Sequence, residues 1–160
     1  MKFFKILLFI GLLLIAFDSN AQKNRYIKTD TYEGVVFAKY CWPTSEIAWH
    51  PYFPTDQEIA KMEQKISYSI RILLLAYEKH ENFTGNCDIE KDIQKFKRQY
   101  YGYWYGGEKI IVVYFYKYPP KNWKEKISPI SENAQCDEFS LKYNIKSDRL
   151  YDFLVDLSRE

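Results

Sequence analysis

The chain has 160 residues, 47% of them hydrophobic and 19% aromatic, enough for one domain with a proper core and too apolar for intrinsic disorder. Its 23 basic and 21 acidic residues leave a formal charge of +2, which argues against a nucleic-acid binder, since phosphate recognition needs clustered, uncompensated Lys and Arg. The longest basic cluster, Lys95, Lys97 and Arg98, follows an acidic run (Asp88, Glu90, Asp92) and reads as a solvated helix face.

The first 21 residues have the grammar of a secretory signal. Lys2 and Lys5 precede a twelve-residue apolar run, Ile6 to Phe17, and Ser19-Asn20-Ala21 supplies small residues where a signal peptidase reads. Twelve apolar residues fall short of the roughly 20 that span a bilayer. The expectation is cleavage after Ala21, a single domain over 22–160, a periplasmic or secreted location, and no membrane span afterwards. Cleavage would remove Lys2, Lys5 and Asp18, taking 23 basic and 21 acidic residues to 21 and 20, a net of +1. Three cysteines then remain, Cys41, Cys87 and Cys136. Export permits a disulfide and the odd count leaves one thiol over, so three pairings can be drawn. Cys41 with Cys136 is favoured, because each flanks a predicted strand.

Residues 22–31 are polar and read as frayed. Glu33 to Tyr40 (EGVVFAKY) reads as a short strand, and the three prolines between Pro43 and Pro54 mark an irregular connection. Thr55-Asp56-Gln57-Glu58 is a capping box. Apolar residues then recur at Ile59, Met62, Ile66, Ile70, Leu73, Leu74 and Tyr77, which predicts a long helix over about 55–80 with one buried stripe. Asp88 to Lys95 predicts a second, shorter helix. Beyond Lys97 the period becomes that of strands. Gly106-Gly107 predicts a two-residue hairpin turn, Pro119-Pro120 ends the second strand, and 121–135 reads as a loop or an edge strand broken by Pro129. Phe139, Leu141, Tyr143 and Ile145 alternate with polar residues, and after a turn at Ser147-Asp148 a last strand runs from Tyr151 to Leu157. The fold class predicted is α+β: one long and one shorter helix packed on an antiparallel β-meander of two hairpins.

The tract Arg98 to Tyr118 holds nine aromatic side chains in 21 residues. Pairing outward from the glycine turn sets Trp104 opposite Lys109, Tyr101 opposite Val112 and Arg98 opposite Phe115. Side chains alternate between faces, so one face collects Lys97, Gln99, Tyr101, Tyr103, Tyr105, Glu108, Ile110, Val112, Tyr114 and Tyr116. The other collects Arg98, Tyr100, Gly102, Trp104, Lys109, Ile111, Val113 and Phe115. The strict alternation of the Phe139 strand suggests a sheet covered on one side only. The second face is therefore assigned to the core, with Gly102 admitting a close helix, and the tyrosines are assigned to solvent. A wet Tyr ladder needs no ligand, because cross-strand aromatic pairs stabilise a sheet by about 0.2–1 kcal/mol each. It is also the one group a partner could use, since Tyr and Trp concentrate binding energy at interfaces. Tyr101, Tyr103, Tyr105, Tyr114, Tyr116 and Trp123 are the candidate binding residues.

The catalytic inventory is thin. His50 lies in a Pro-flanked loop and His80 at the end of the long helix, where the dipole favours positive charge. Neither forms a metal-binding pattern, no cysteine sits at zinc-site spacing, and there is no Gly-x-Ser-x-Gly elbow or phosphate-binding loop. No catalytic residue, metal or cofactor is expected.

With Trp42-Pro43, the capped helix, Arg98-Gln99-Tyr100-Tyr101-Gly102-Tyr103, Gly107-Glu108-Lys109-Ile110-Ile111, Trp123-Lys124 and the closing Phe139–Leu154 hairpin in view, the chain resembles a largely uncharacterised group of small exported bacterial proteins. The resemblance spans about residues 42–155 and implies export and an α+β fold, with little bearing on activity. Asn133-Ala134-Gln135-Cys136 stands where that group has a glycine-rich turn. The helix-plus-meander plan is also similar to cystatin-like folds, many of which bind proteins; that is an analogy of fold alone. The functional expectation is an exported non-catalytic protein that binds another protein, in an inhibitor or immunity-like role, through the Tyr-rich face. Carbohydrate or cell-wall binding, with Trp123 and the Tyr rings stacked on sugars, is the alternative. A hydrolase with a loop-assembled site around His50 or His80 is the third.

Overall fold

The computed structural model describes residues 23–38, 50–81, 88–131 and 135–155. Among the described residues, two helices accompany a seven-stranded, mostly antiparallel sheet, which is the α+β class expected. The strands are β1 (Arg25–Lys28), β2 (Glu33–Val36), β3 (His50–Tyr52), β4 (Lys97–Tyr105), β5 (Glu108–Tyr116), β6 (Glu138–Asn144) and β7 (Arg149–Val155). Helix α1 runs from Asp56 to Glu81, and α2 (Ile89–Asp92) continues into a 3₁₀ turn, Ile93–Lys95. The sheet order is β1-β2-β4-β5-β6-β7, with β3 also on β4.

The sheet is larger than two hairpins. Residues 25–28, expected to fray, pair with β2 as a third hairpin. Arg25 fixes them to the start of α1: its Nη2 donates to the Pro54 carbonyl at 2.6 Å, its Nε lies 2.8 Å from an Asp56 carboxylate oxygen, and its guanidinium covers the Phe53 ring. Strand β2 then joins β4 in parallel, so the sheet is mixed. Strand β3, inside the stretch expected to be irregular, continues along the same edge of β4 and pairs with Gly102 to Trp104.

Helix α1 begins as its capping box requires. The Glu58 amide donates to Thr55 Oγ1 at 3.2 Å, and the Thr55 amide donates back to Glu58 Oε2 at 2.8 Å. Ile59, Met62, Ile66, Ile70 and Leu74 are buried against Val36, Ile111, Val113, Phe115, Phe139, Leu141 and Tyr143 of the sheet. Phe115 and Phe139 stack there with ring centroids 4.1 Å apart.

The β4–β5 register is the one counted outward from the glycines, with Trp104 opposite Lys109 and Arg98 opposite Phe115. Gly106 and Gly107 have φ of 57° and 78°, the left-handed pair that such a turn demands. On the helix side two details differ from expectation. Trp104 is 40% exposed, because it lies at the strand end, where it meets Tyr52 edge-on and sits under Lys109. Gly102 admits Tyr52 of β3 rather than a helix: a Cβ there would stand 2.4 Å from the Tyr52 ring and 2.7 Å from its carbonyl oxygen.

One buried charge pair links helix to sheet. Arg98 Nε donates to Glu63 Oε1 at 3.1 Å and Nη1 donates to the Phe96 carbonyl at 2.6 Å, while the Tyr100 hydroxyl donates to the same Glu63 oxygen at 2.7 Å. Burial and the Glu63 carboxylate hold the Tyr100 phenol well above its ordinary range, so it remains a donor.

Candidate functional site

The expectation of a solvent-facing tyrosine ladder is overturned. Tyr101, Tyr103, Tyr114 and Tyr116 are no more than 7% exposed, and Trp123 is 8% exposed. With Val35, Phe37, Ile110 and Val112 they form a second core on the sheet face opposite α1, capped by Ile127 and Ile130. The cover is the segment 117–131, which leaves β5 through Pro119-Pro120, makes a turn over 121–125 and folds back across the sheet. Its turn is closed by the Trp123 amide donating to the Pro120 carbonyl and the Lys126 amide to the Asn122 carbonyl, each at 3.0 Å.

Gln99 is the polar pin that holds this cover. Fully buried, it donates from Nε2 to the carbonyls of Trp123 (2.5 Å) and Lys126 (2.8 Å), and its Oε1 accepts from the Ser128 amide at 3.0 Å. The Tyr116 hydroxyl donates to Gln99 Oε1 at 3.3 Å and also to the Ser128 carbonyl. An irregular segment can lie over an apolar face only if its backbone groups find partners, and one glutamine and one tyrosine supply them here. Trp123 inserts below, edge-on to Tyr26, with Lys124 4.1 Å above the Tyr26 ring.

The cover does not reach the β7 edge. Between Ile130 and β7 a half-open pocket of about 290 Å³ remains. Tyr101, Tyr114 and Val112 form its floor, and Ile130, Leu154 and the Lys142–Asp152 pair its sides. The Tyr101 and Tyr114 hydroxyls stand 3.4 Å apart. Lys142 Nζ donates to Asp152 Oδ2 at 2.8 Å, and Leu154 is 59% exposed. A break in the β6–β7 register between Ser140 and Lys142, with Asp152 at a φ of 48°, sends both Tyr151 and Leu154 to this face. The period-two alternation of a regular strand therefore fails at Asp152. Tyr151 reaches Tyr103, whose hydroxyl is pushed up by burial and then by Tyr151 and Asp152.

The six candidates thus divide. Tyr101 and Tyr114 come together in the pocket, Tyr103 lies beside it, and Tyr116 and Trp123 lie beneath the cover. Tyr105, 65% exposed, stands apart at the hairpin tip. Leu154, Ile130, Lys142 and Asp152 are not among the sequence candidates; their one sequence signal is a leucine two residues from Asp152 on one side and Asp156 on the other. His50 is exposed on β3. His80 lies in the last turn of α1, and no cluster of three potential metal ligands occurs among the described residues. Cys136 is disulfide-bonded; its favoured partner Cys41, and Cys87, lie outside the described residues. No described helix is long and apolar enough to cross a membrane.

No known protein family, no curated protein and no solved structure matches this chain.

Proposed function

We propose that this is an exported, non-catalytic protein that binds another protein, seating an apolar side chain of its partner in the pocket between Ile130 and Leu154. The observation that carries the reading is the pocket itself. It is concave, its floor is two tyrosines and a valine, and its rim sets one ion pair beside an exposed leucine. Such a site suits an apolar anchor with polar contacts around it, the usual anatomy of an interface hot spot. The pocket lies along β7, an end strand of the sheet, so an extended partner segment could lie beside it. Export is supported by the signal-like first 21 residues and by the disulfide at Cys136, since such bonds persist in oxidising compartments. An inhibitor or immunity-like role is one form this binding could take.

The carbohydrate alternative loses the platform it relied on, because Trp123 and four of the five tyrosines are inside. The test is affinity capture by the wild type, Leu154→Asp and Tyr118→Asp from the native envelope. Tyr118 is exposed and absent from the pocket, so its variant should keep the partner that Leu154→Asp loses. Equal capture by all three would sink the reading.

A further inference from the structure

Another cavity, of about 240 Å³, lies between α1, the β1–β2 turn and the 3₁₀ turn that follows α2, on the sheet face opposite the Leu154 pocket. Arg98 and Glu63 line it, and they are its one cation and one anion. Its other polar liners include Thr31, Gln64, Ser67 and Gln94, all uncharged and exposed. The wall from the β1–β2 turn is fixed, because Thr29 Oγ1 accepts from the Thr31 and Tyr32 amides at 3.3 and 3.1 Å.

The fold uses only part of the buried pair. Arg98 Nε and the Tyr100 hydroxyl both donate to Glu63 Oε1, and Arg98 Nη1 donates to the Phe96 carbonyl. Among the described residues, Glu63 Oε2 and Arg98 Nη2 make no hydrogen bond, and neither atom is wholly buried. A charged acceptor and a charged donor thus border the same small space. Holding two ions out of water is costly unless their remaining hydrogen-bonding capacity is met, and here a polar cavity stands where a ligand would meet it.

We infer that this cavity binds a small zwitterion of the α-amino-acid class, its carboxylate accepting from Arg98 Nη2 and its ammonium donating to Glu63 Oε2. The two protein charges cancel, so a simple anion or cation gains one attraction and suffers one repulsion, whereas a zwitterion gains two attractions. A primary carboxamide could bridge the same atoms, but through weaker bonds, because it carries no charge. The volume lies below the roughly 300–1,000 Å³ usual for drug-sized ligands, which keeps the ligand small. This inference is independent of the partner reading, and its test does not involve that partner.

The test is calorimetric titration of the protein, in the processed form its own host accumulates, with a panel of free L-amino acids, and with propanoate, ethylamine and propionamide. At least one amino acid should bind. Propanoate, ethylamine and propionamide should each bind at least about tenfold more weakly than the best amino acid, because each forgoes a charge-assisted hydrogen bond. Ser67→Trp, at an exposed position of α1 that lines the cavity, should abolish binding while circular dichroism stays native. Glu63→Gln keeps the shape and should lower the amino-acid affinity at least about tenfold, provided the variant folds. Binding by no amino acid, propionamide or either half-ligand matching the best amino acid, or undiminished binding by natively folded Ser67→Trp would each overturn the inference.

Discussion

The side-chain amide of Gln99 donates to the carbonyl of Trp123 at 2.5 Å, across the buried space between the sheet and the segment above it. This contact, with those to Lys126 and Ser128, turns an aromatic sheet face into an interior. Gln99→Leu should fill the same volume yet strand three backbone groups. Each buried unsatisfied group costs about 1–3 kcal/mol, so three of them, two only part-buried, should cost at least about 3 kcal/mol in urea unfolding. Trp123 emission should shift to the red as the cover loosens. An unchanged midpoint and spectrum would show that the cover is held by apolar contacts alone.

The Arg98–Glu63 pair, 2% and 7% exposed, should behave as buried pairs do. Removing one partner leaves an uncompensated charge and costs about 3–5 kcal/mol. Glu63→Gln and Arg98→Met should therefore each destabilise strongly, and the double variant by clearly less than their sum. A thermal or denaturant double-mutant cycle reads the coupling; strict additivity would contradict the pairing.

Much of this fold is legible in the sequence because it rests on local rules. The capping box, the three–four apolar spacing of α1 and the glycine turn with its register are each set by residues near in the chain. The expectation of an open Tyr face rests on one strand. Phe139 to Ile145 alternates, but β6 lies near the margin of the sheet. Strand β5, Ile110 to Tyr116, is an unbroken apolar run, and such a run marks a strand buried on both faces. Gln99 among the tyrosines was the second signal. Strands β1 and β3 had no local signature: each is short, polar or proline-bearing, and each is fixed by long-range pairing to β2 or β4. The pocket was illegible for the same reason, because a backward-folding segment and a bulge at Asp152 build it.

Gly102 gives a sharp steric prediction. Gly102→Ala would drive a methyl into Tyr52, at 2.4 Å from its ring and 2.7 Å from its backbone oxygen. Overpacking of this kind costs about 1–3 kcal/mol. Strand β3 should be displaced and Trp104 emission should change, since Tyr52 is its edge-on neighbour. Emission and stability identical to wild type would show that β3 does not pack there.

Asp148 supplies the pH dependence. Its carboxyl is held below the usual range, first by the Tyr143 hydroxyl, which donates to Oδ1 at 2.7 Å, and then by Lys65 and Lys61. A carboxylate depressed in the folded state stabilises above its unfolded value of about 3.9 and loses that contribution as pH falls through the folded value. Asp148→Asn should therefore be less stable than wild type at pH 7, and the difference should close in acid. A deficit constant from pH 7 down to pH 2 in urea titrations would assign the effect to packing.

The most direct measurement of the central claim is site-specific photo-crosslinking in the native host. A photoreactive residue is placed in turn at Leu154 on the pocket lip, at Tyr105 on the hairpin tip and at Tyr118, all exposed. The pocket reading predicts one discrete protein adduct from position 154 and none from 105 or 118. An adduct from Tyr105 with none from Leu154 would move the binding surface to the hairpin tip and contradict it.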